Sequence, residues 1–72
     1  MALLDVREDL HEGREPFQKI MAAIAALHPD EDLELIVPFE PTPLYVVLEN
    51  RGFSHVSELM PDGFWHVIFS RA

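Results

Sequence analysis

A chain of 72 residues that contains no cysteine has one main route to a stable fold, which is to bury a hydrophobic core. Disulfide bonds are excluded, and so are catalysis by a thiol and zinc sites built on cysteine. A folded chain of this size buries about 60% of the surface that its unfolded state exposes, so the core is thin. Since 49% of the residues are hydrophobic, we expect one folded domain that spans residues 1–72.

The charge of the chain bears on its partners. Thirteen acidic and five basic residues give a net charge of −8. Such a surface repels phosphate and anionic lipid, so we expect neither a nucleic acid nor a membrane as partner. No apolar run approaches the roughly 18 residues of a membrane-spanning helix, and the N-terminus does not resemble a signal peptide. The composition therefore predicts a soluble cytoplasmic protein.

The first half of the chain predicts a strand, a loop, a helix and a second strand. Ala2–Val6 is a short apolar run typical of a strand, and the polar segment Arg7–Glu15 is expected to be a loop. From residue 17 the apolar side chains follow helical spacing up to residue 27, and His28-Pro29 ends this helix. The mostly apolar segment Leu33–Val37 predicts a central strand.

The second half predicts a helix followed by a β-hairpin. The helix covers Leu44–Arg51, and Gly52 is expected in the left-handed conformation that ends many helices. The hairpin strands are 53–60 and 64–70, joined through Pro61-Asp62-Gly63. Centring the turn near Asp62 places His55 opposite Phe69 and Glu58 opposite His66.

The order β-α-β-α-β-β predicts an α+β two-layer sandwich, a mixed four-stranded sheet with both helices on one face. The predicted core between the two layers consists of Phe17, Ile20, Ile24, Leu27, Leu35, Leu44, Val47, Leu48, Trp65, Val67 and Phe69. The other face of the sheet is expected to carry Ile36, Val56, Met60, Phe64 and Ile68 among Glu34, Glu58 and His66. Because this uncovered face is partly apolar, we expect a weak homodimer or a partner contact there or at the edge strand beside it.

The sequence gives little support for an enzymatic activity. Ser54 and His55 are neighbours on opposite faces of a strand, and the three glycines are isolated, so neither a serine nucleophile nor a phosphate-binding loop is indicated. His11 lies among acidic residues and is a weak candidate for a metal ligand, although no H-x-x-x-H spacing occurs. We therefore predict no cofactor, no specific metal site and no enzymatic activity.

Five short segments carry a resemblance to a known family. They are L-D-V-R at 4–7, G-R-E-P-F at 13–17, F-E-P-T-P-L-Y at 39–45, R-G-F at 51–53 and W-H-V-I-F at 65–69. In these segments the chain resembles the bacterial domain-of-unknown-function family numbered 2249, which is placed with the TusA/SirA-like sulfur carriers. The resemblance covers nearly the whole chain, and the segment 39–45 is its most specific part.

The resemblance implies the same β-α-β-α-β-β sandwich. Sulfur carriers of this fold hold a persulfide on the cysteine of a C-P-x-P motif at the start of their first helix. Here the matching segment is Arg14-Glu15-Pro16-Phe17, which keeps the proline and has no cysteine. Transfer of sulfur through a cysteine persulfide is therefore excluded for this chain. The resemblance also implies an accessory role in bacterial redox, nitrogen-oxide or metal–sulfur metabolism.

A binding site is expected where the carboxyl ends of the strands meet the N-termini of the helices, because ligands of open α/β sheets gather at that edge. The residues predicted there are Arg7, Arg14, Glu15, Phe39, Glu40 and Tyr45. The leading hypothesis is a non-enzymatic module that binds a small ligand or a protein partner through this edge. The alternatives are a metal-dependent redox accessory protein or enzyme subunit that uses the His11 loop, and a subunit that only docks onto a larger partner. Three of the predicted site residues also have an ordinary interpretation: Phe39 as a cap on the core, Tyr45 as packing on the helix, and Arg14 as a partner of nearby acids. Pro16, Pro41 and Pro43 are likewise explained as helix starters.

Overall fold

The computed structural model describes residues 1–72 and contains four strands and three helices. In chain order they are β1 (Ala2–Asp5), α1 (Arg7–His11), α2 (Phe17–Ala25), β2 (Leu33–Val37), α3 (Thr42–Glu49), β3 (Phe53–Leu59) and β4 (Trp65–Arg71). The strands form one sheet in the order β1-β2-β4-β3. β1 and β2 are parallel, whereas β4 runs antiparallel to both of its neighbours. The predicted mixed four-stranded α+β architecture is confirmed.

Both long helices pack on the same face of the sheet. Ile24 of α2 and Leu48 of α3 belong to one buried cluster together with Leu35 of β2. α2 ends at Ala25, a little before the proline that was expected to end it, and α3 begins at Thr42, two residues earlier than predicted.

The segment predicted to be a loop, Arg7–Glu15, contains the short helix α1. The Asp5 carboxylate accepts the Arg7 backbone N–H at 3.0 Å, which anchors the start of this helix. Glu8 and Asp9 lie in its first turn, where negative charge is favourable. With five residues and a single large apolar side chain, Leu10, the helix is too short to show a hydrophobic period. For that reason the sequence-based interpretation missed it.

The hairpin of β3 and β4 has the predicted register. His55 lies opposite Phe69 and Glu58 opposite His66. The turn depends on Gly63, which has a φ of 89° that other residues rarely adopt. Gly52 likewise has a φ of 86° after α3, as predicted. These two glycines fix where the preceding element ends and where the next one begins.

Eight of the eleven predicted core residues are buried, and three are not. Val47 and Trp65 are half-buried, and Phe17 is 43% exposed. Phe17 is the first residue of α2 and lies at the edge of the sheet, so its ring lines a surface groove rather than the interior. The core also includes residues that the prediction left out, namely Val6, Leu33, Val37, Tyr45 and Phe53.

The face of the sheet without helices carries both buried and exposed apolar side chains. Ile36 is buried, and Val56 on β3 is 71% exposed. His66 is opposite Glu58 in the register, but its Nδ1 lies 2.8 Å from Oε2 of Glu34 on the other neighbouring strand. No helix in the structure has the length and apolar character needed to cross a membrane.

Candidate functional site

An apolar groove lies between the first turns of α2 and α3, beyond the carboxyl ends of β1 and β2. Its volume is about 260 Å³, and it opens to solvent. Val6, Leu35 and Val37 contribute to it from the sheet side and are themselves buried. The remaining lining residues come from α1 and from the starts of the two helices: Leu10, Glu15, Pro16, Phe17, Ile20, Phe39, Pro41, Pro43, Leu44 and Val47. We refer to this set as the apolar groove.

Two exposed aromatic rings border the apolar groove. Phe17 is 43% exposed and Phe39 is 51% exposed. Burying an aromatic ring of this size would stabilise a domain with a thin core, and a ring exposed to water does not contribute that stabilisation. Phe39 also lines a second groove beside α1, so together with Leu10 it separates the two depressions. Of the six predicted site residues, Phe39 and Glu15 lie at the apolar groove.

Glu15 is the one charged residue that lines the apolar groove. Its Oε1 accepts the backbone N–H of Phe17 at 2.6 Å. This bond satisfies one of the N–H groups that a helix leaves free in its first turn. The carboxylate therefore serves α2 itself, and the other residues that line the groove are uncharged.

Arg7 lies outside the apolar groove and is bound to Asp5. Its Nη2 lies 2.6 Å from Asp5 Oδ2, and its Nε lies 2.9 Å from Oδ1. Hydrogen bonds from Arg7 hold the pKa of the Asp5 carboxyl below its ordinary value. The guanidinium also lies 4.7 Å from the centre of the Phe64 ring. These contacts bind Nε, Nη2 and one face of the guanidinium to groups of the protein itself.

Arg14 also binds a carboxylate of the chain itself. Arg14 Nε lies 3.3 Å from Oδ1 of Asp9, and Lys19 Nζ lies 2.9 Å from Oδ2 of the same carboxylate. The hydrogen bond from Lys19, followed by that from Arg14, lowers the pKa of Asp9 although partial burial opposes the shift. This pairing agrees with the ordinary reading of Arg14 as a partner of nearby acids.

Tyr45 faces the opposite side of α3 from the apolar groove. Its ring stacks on His55 with 3.7 Å between the ring centres and 10° between the planes. Its hydroxyl donates to Oε2 of Glu40 at 3.4 Å, and the hydroxyl of Ser57 donates to the same oxygen at 3.4 Å. Burial raises the pKa of Tyr45. Tyr45 and Glu40 thus form a packing contact between α3 and β3, separate from the groove.

The histidines lie apart from one another. His11 is exposed at the end of α1 and lines the second groove with Arg7 and Glu8. No group of three or more histidine, aspartate or glutamate side chains gathers closely enough to hold a metal ion. The geometry therefore gives no support to the metal-site hypothesis for His11.

Several groove residues escaped the sequence analysis. Leu10 was assigned to a loop, and Val47 to the core. Pro41 and Pro43 were recognised only as helix starters, although they form part of the wall. One signal was present in the sequence: prolines, an exposed aromatic and apolar residues cluster at 37–47, immediately after a buried strand.

Comparison with family models finds one match, to "Uncharacterized conserved protein (DUF2249)", over residues 3–71. Comparisons with curated proteins and with solved structures find no match. The matched segment covers the whole fold except the first residue of β1, and it includes all of the groove residues.

Proposed function

This chain belongs to the DUF2249 family of uncharacterized conserved proteins, and we propose that it is a non-enzymatic binding module whose site is the apolar groove. The occupant that fits best is a single apolar side chain presented by a protein partner. One observation carries this proposal: an open, almost wholly apolar depression lies at the helix N-termini and is bordered by the exposed rings of Phe17 and Phe39.

The size of the groove limits what can bind there. An apolar cavity of about 150 Å³ accommodates a benzene molecule, whereas pockets for drug-sized ligands measure about 300–1,000 Å³. At about 260 Å³ the apolar groove suits one aromatic or branched aliphatic group better than a nucleotide or a large cofactor. Aromatic anchors in small pockets are also typical of binding hot spots between proteins.

The charge of the chain indicates what kind of partner would present that side chain. The net charge is −8, and the acidic residue Glu15 lines the groove. Complementary charge speeds association and discriminates among partners. We therefore propose that the partner is a basic protein segment with one exposed aromatic side chain. Its positive charge would complement that of this chain, and its aromatic side chain would enter the groove.

The proposal includes a TusA-like origin for the scaffold. The element order and the mixed sheet support it, as does Pro16 at the start of α2. Glu15 precedes this proline at the position where the sulfur carriers have their cysteine, and it binds the helix N-terminus through its carboxylate. A binding role that needs no thiol is consistent with that replacement.

Side-chain analogues test the proposal directly. Toluene, p-cresol and 3-methylindole should produce saturable chemical-shift changes in the amides of Val6, Ile20 and Leu44, followed by heteronuclear NMR. Val47→Trp should abolish these changes because the larger side chain fills the groove. Val46→Trp is the matched control, since Val46 is 61% exposed on the same helix and does not line the groove.

Two results would reject the proposal. One is the absence of any saturable change with all three analogues. The other is binding that survives in Val47→Trp. Folding of both variants is checked beforehand by the dispersion of the same spectra.

A further inference from the structure

The edge strand β3 presents a row of unpaired backbone groups. Met60 N–H donates to the Phe64 carbonyl at 2.9 Å, and Ala72 N–H donates to the Gly52 carbonyl at 2.8 Å. In an antiparallel ladder the hydrogen-bonded pairs alternate with pairs that are not hydrogen-bonded. These two bonds at the ends of the hairpin therefore show that even-numbered residues of β3 bond to β4. The residues whose N–H and C=O groups point away from the sheet are Phe53, His55, Ser57 and Leu59.

β3 has few of the devices that protect an edge strand. Natural edges carry proline, lysine, a bulge or a very short strand, each of which discourages pairing with another chain. β3 has seven residues with an unbroken one-to-one register, and it contains no proline, no lysine and no arginine. Its one acidic residue is Glu58. By contrast, the other edge strand, β1, has only four residues.

We propose that β3 pairs with the β3 strand of a second copy of this chain, antiparallel, about a two-fold axis at Val56. Val56 is the midpoint of β3 and, at 71%, the most exposed large hydrophobic residue of the chain. With the axis there, all seven residues of each strand find a partner. The two sheets become one continuous eight-stranded sheet.

The side chains support this register. On the face that carries the helices, His55 of one copy lies opposite Ser57 of the other, and Phe53 lies opposite Leu59. The outward-directed backbone groups of these residues form the hydrogen bonds between the two strands. On the other face Val56 contacts its own counterpart, and Ser54 lies opposite Glu58. Apolar pairs of this kind stabilise a sheet, and no acid opposes an acid. An axis at Glu58 would set two carboxylates against each other, and an axis at Ser57 would leave Phe53 without a partner.

Charge sets the conditions under which the pairing is seen. Each copy carries a net charge of −8, which opposes association. Salt shortens the screening length from about 10 Å at 0.1 M to about 3 Å at 1 M. Association should therefore strengthen as salt is added.

Sedimentation and amide hydrogen exchange provide the first test. At high salt and high protein concentration the mass should approach that of two chains. Under the same conditions the amides of His55, Ser57 and Leu59 should exchange more slowly than in dilute protein. The amides of Val56 and Glu58, which already bond to β4, serve as internal controls and should change little. A single-chain mass under all conditions, or an unchanged exchange rate at the three outward amides, would overturn the proposal.

Single cysteines provide the second test, which the absence of native cysteine makes unambiguous. Facing residues of a pair without hydrogen bonds have Cα atoms about 4.5 Å apart, within the range of a disulfide. Val56→Cys should therefore form a covalent dimer under mild oxidation.

Two control variants test whether the rate of cross-linking depends on the proposed register. In the proposed register, Glu58→Cys places its two thiols four residues apart, about 14 Å along the strand. Val46→Cys is exposed on α3, away from the pairing edge. Both should cross-link more slowly than Val56→Cys, by on the order of tenfold or more. Only in Val56→Cys do the two thiols face each other across the paired strands, which gives them a high effective concentration. Equal rates for Val46→Cys and Val56→Cys, or faster linking of Glu58→Cys, would refute the proposed pairing.

Discussion

Replacing Leu48 by alanine tests the packing of α3 on the sheet. The Leu48 side chain is completely buried in the core cluster. Truncating a buried leucine to alanine costs about 2–5 kcal/mol, since apolar contacts are lost and the surroundings close the cavity only in part. A 72-residue domain has a total stability of about 4–11 kcal/mol, so this one change removes a large share of it.

Thermal and urea unfolding followed by circular dichroism measure the effect. Each kcal/mol corresponds to about 4–8 °C in a domain of this size, so even a loss of 2 kcal/mol lowers Tm by about 8–16 °C. Val46→Ala, two residues earlier on the exposed side of α3, is the control and should change stability by less than about 1 kcal/mol. If Leu48→Ala melts within a degree or two of the parent, the packing of α3 described above is wrong.

Two further predictions concern sulfur chemistry and pH. The protein should accept no persulfide sulfur from a cysteine desulfurase, since the chain holds no thiol; radiolabelled sulfur that stays on the protein in non-reducing electrophoresis would contradict this. Because the pKa of Asp9 is lowered in the folded state, its contribution to stability is present above the pKa of the unfolded chain and is lost as the pH falls through the folded pKa. Asp9→Asn should therefore reduce the loss of stability on acidification in urea titrations, whereas Glu12→Gln, whose carboxylate forms no ion pair, should not. Equal pH profiles for Asp9→Asn and the parent would refute the assigned role.

The strands were predictable from the sequence because their limits are encoded locally. Leu33–Val37 is a continuous apolar run between polar and proline residues, and the structure has the same bounds. The register of the hairpin follows from one turn, since Gly63 must adopt a positive φ and the pairing is then fixed by counting outwards. Features set by one apolar segment or by one turn were therefore predicted correctly, whereas the five-residue helix α1, which shows no hydrophobic period, was not.

The site was only partly predictable because it depends on the direction of side chains around a helix. Neighbouring residues of a helix differ in direction by about 100°. Leu44 accordingly lines the groove, while the next residue, Tyr45, stacks on His55 of β3. The sequence analysis included Tyr45 among the site residues, but no local pattern showed which side of α3 its ring would occupy.

The internal pairing of charged groups narrows what the groove can recognise. Arg7 binds Asp5, Arg14 binds Asp9, and the carboxylate of Glu15 binds the backbone at the start of α2. A helix N-terminus can bind an anion only while its N–H groups are free, and here a carboxylate of the chain already occupies that position. An anionic ligand would therefore have to compete with Glu15 in a protein that already carries a charge of −8. Burial of apolar surface is the remaining source of affinity, and it favours an uncharged apolar group as the occupant of the groove.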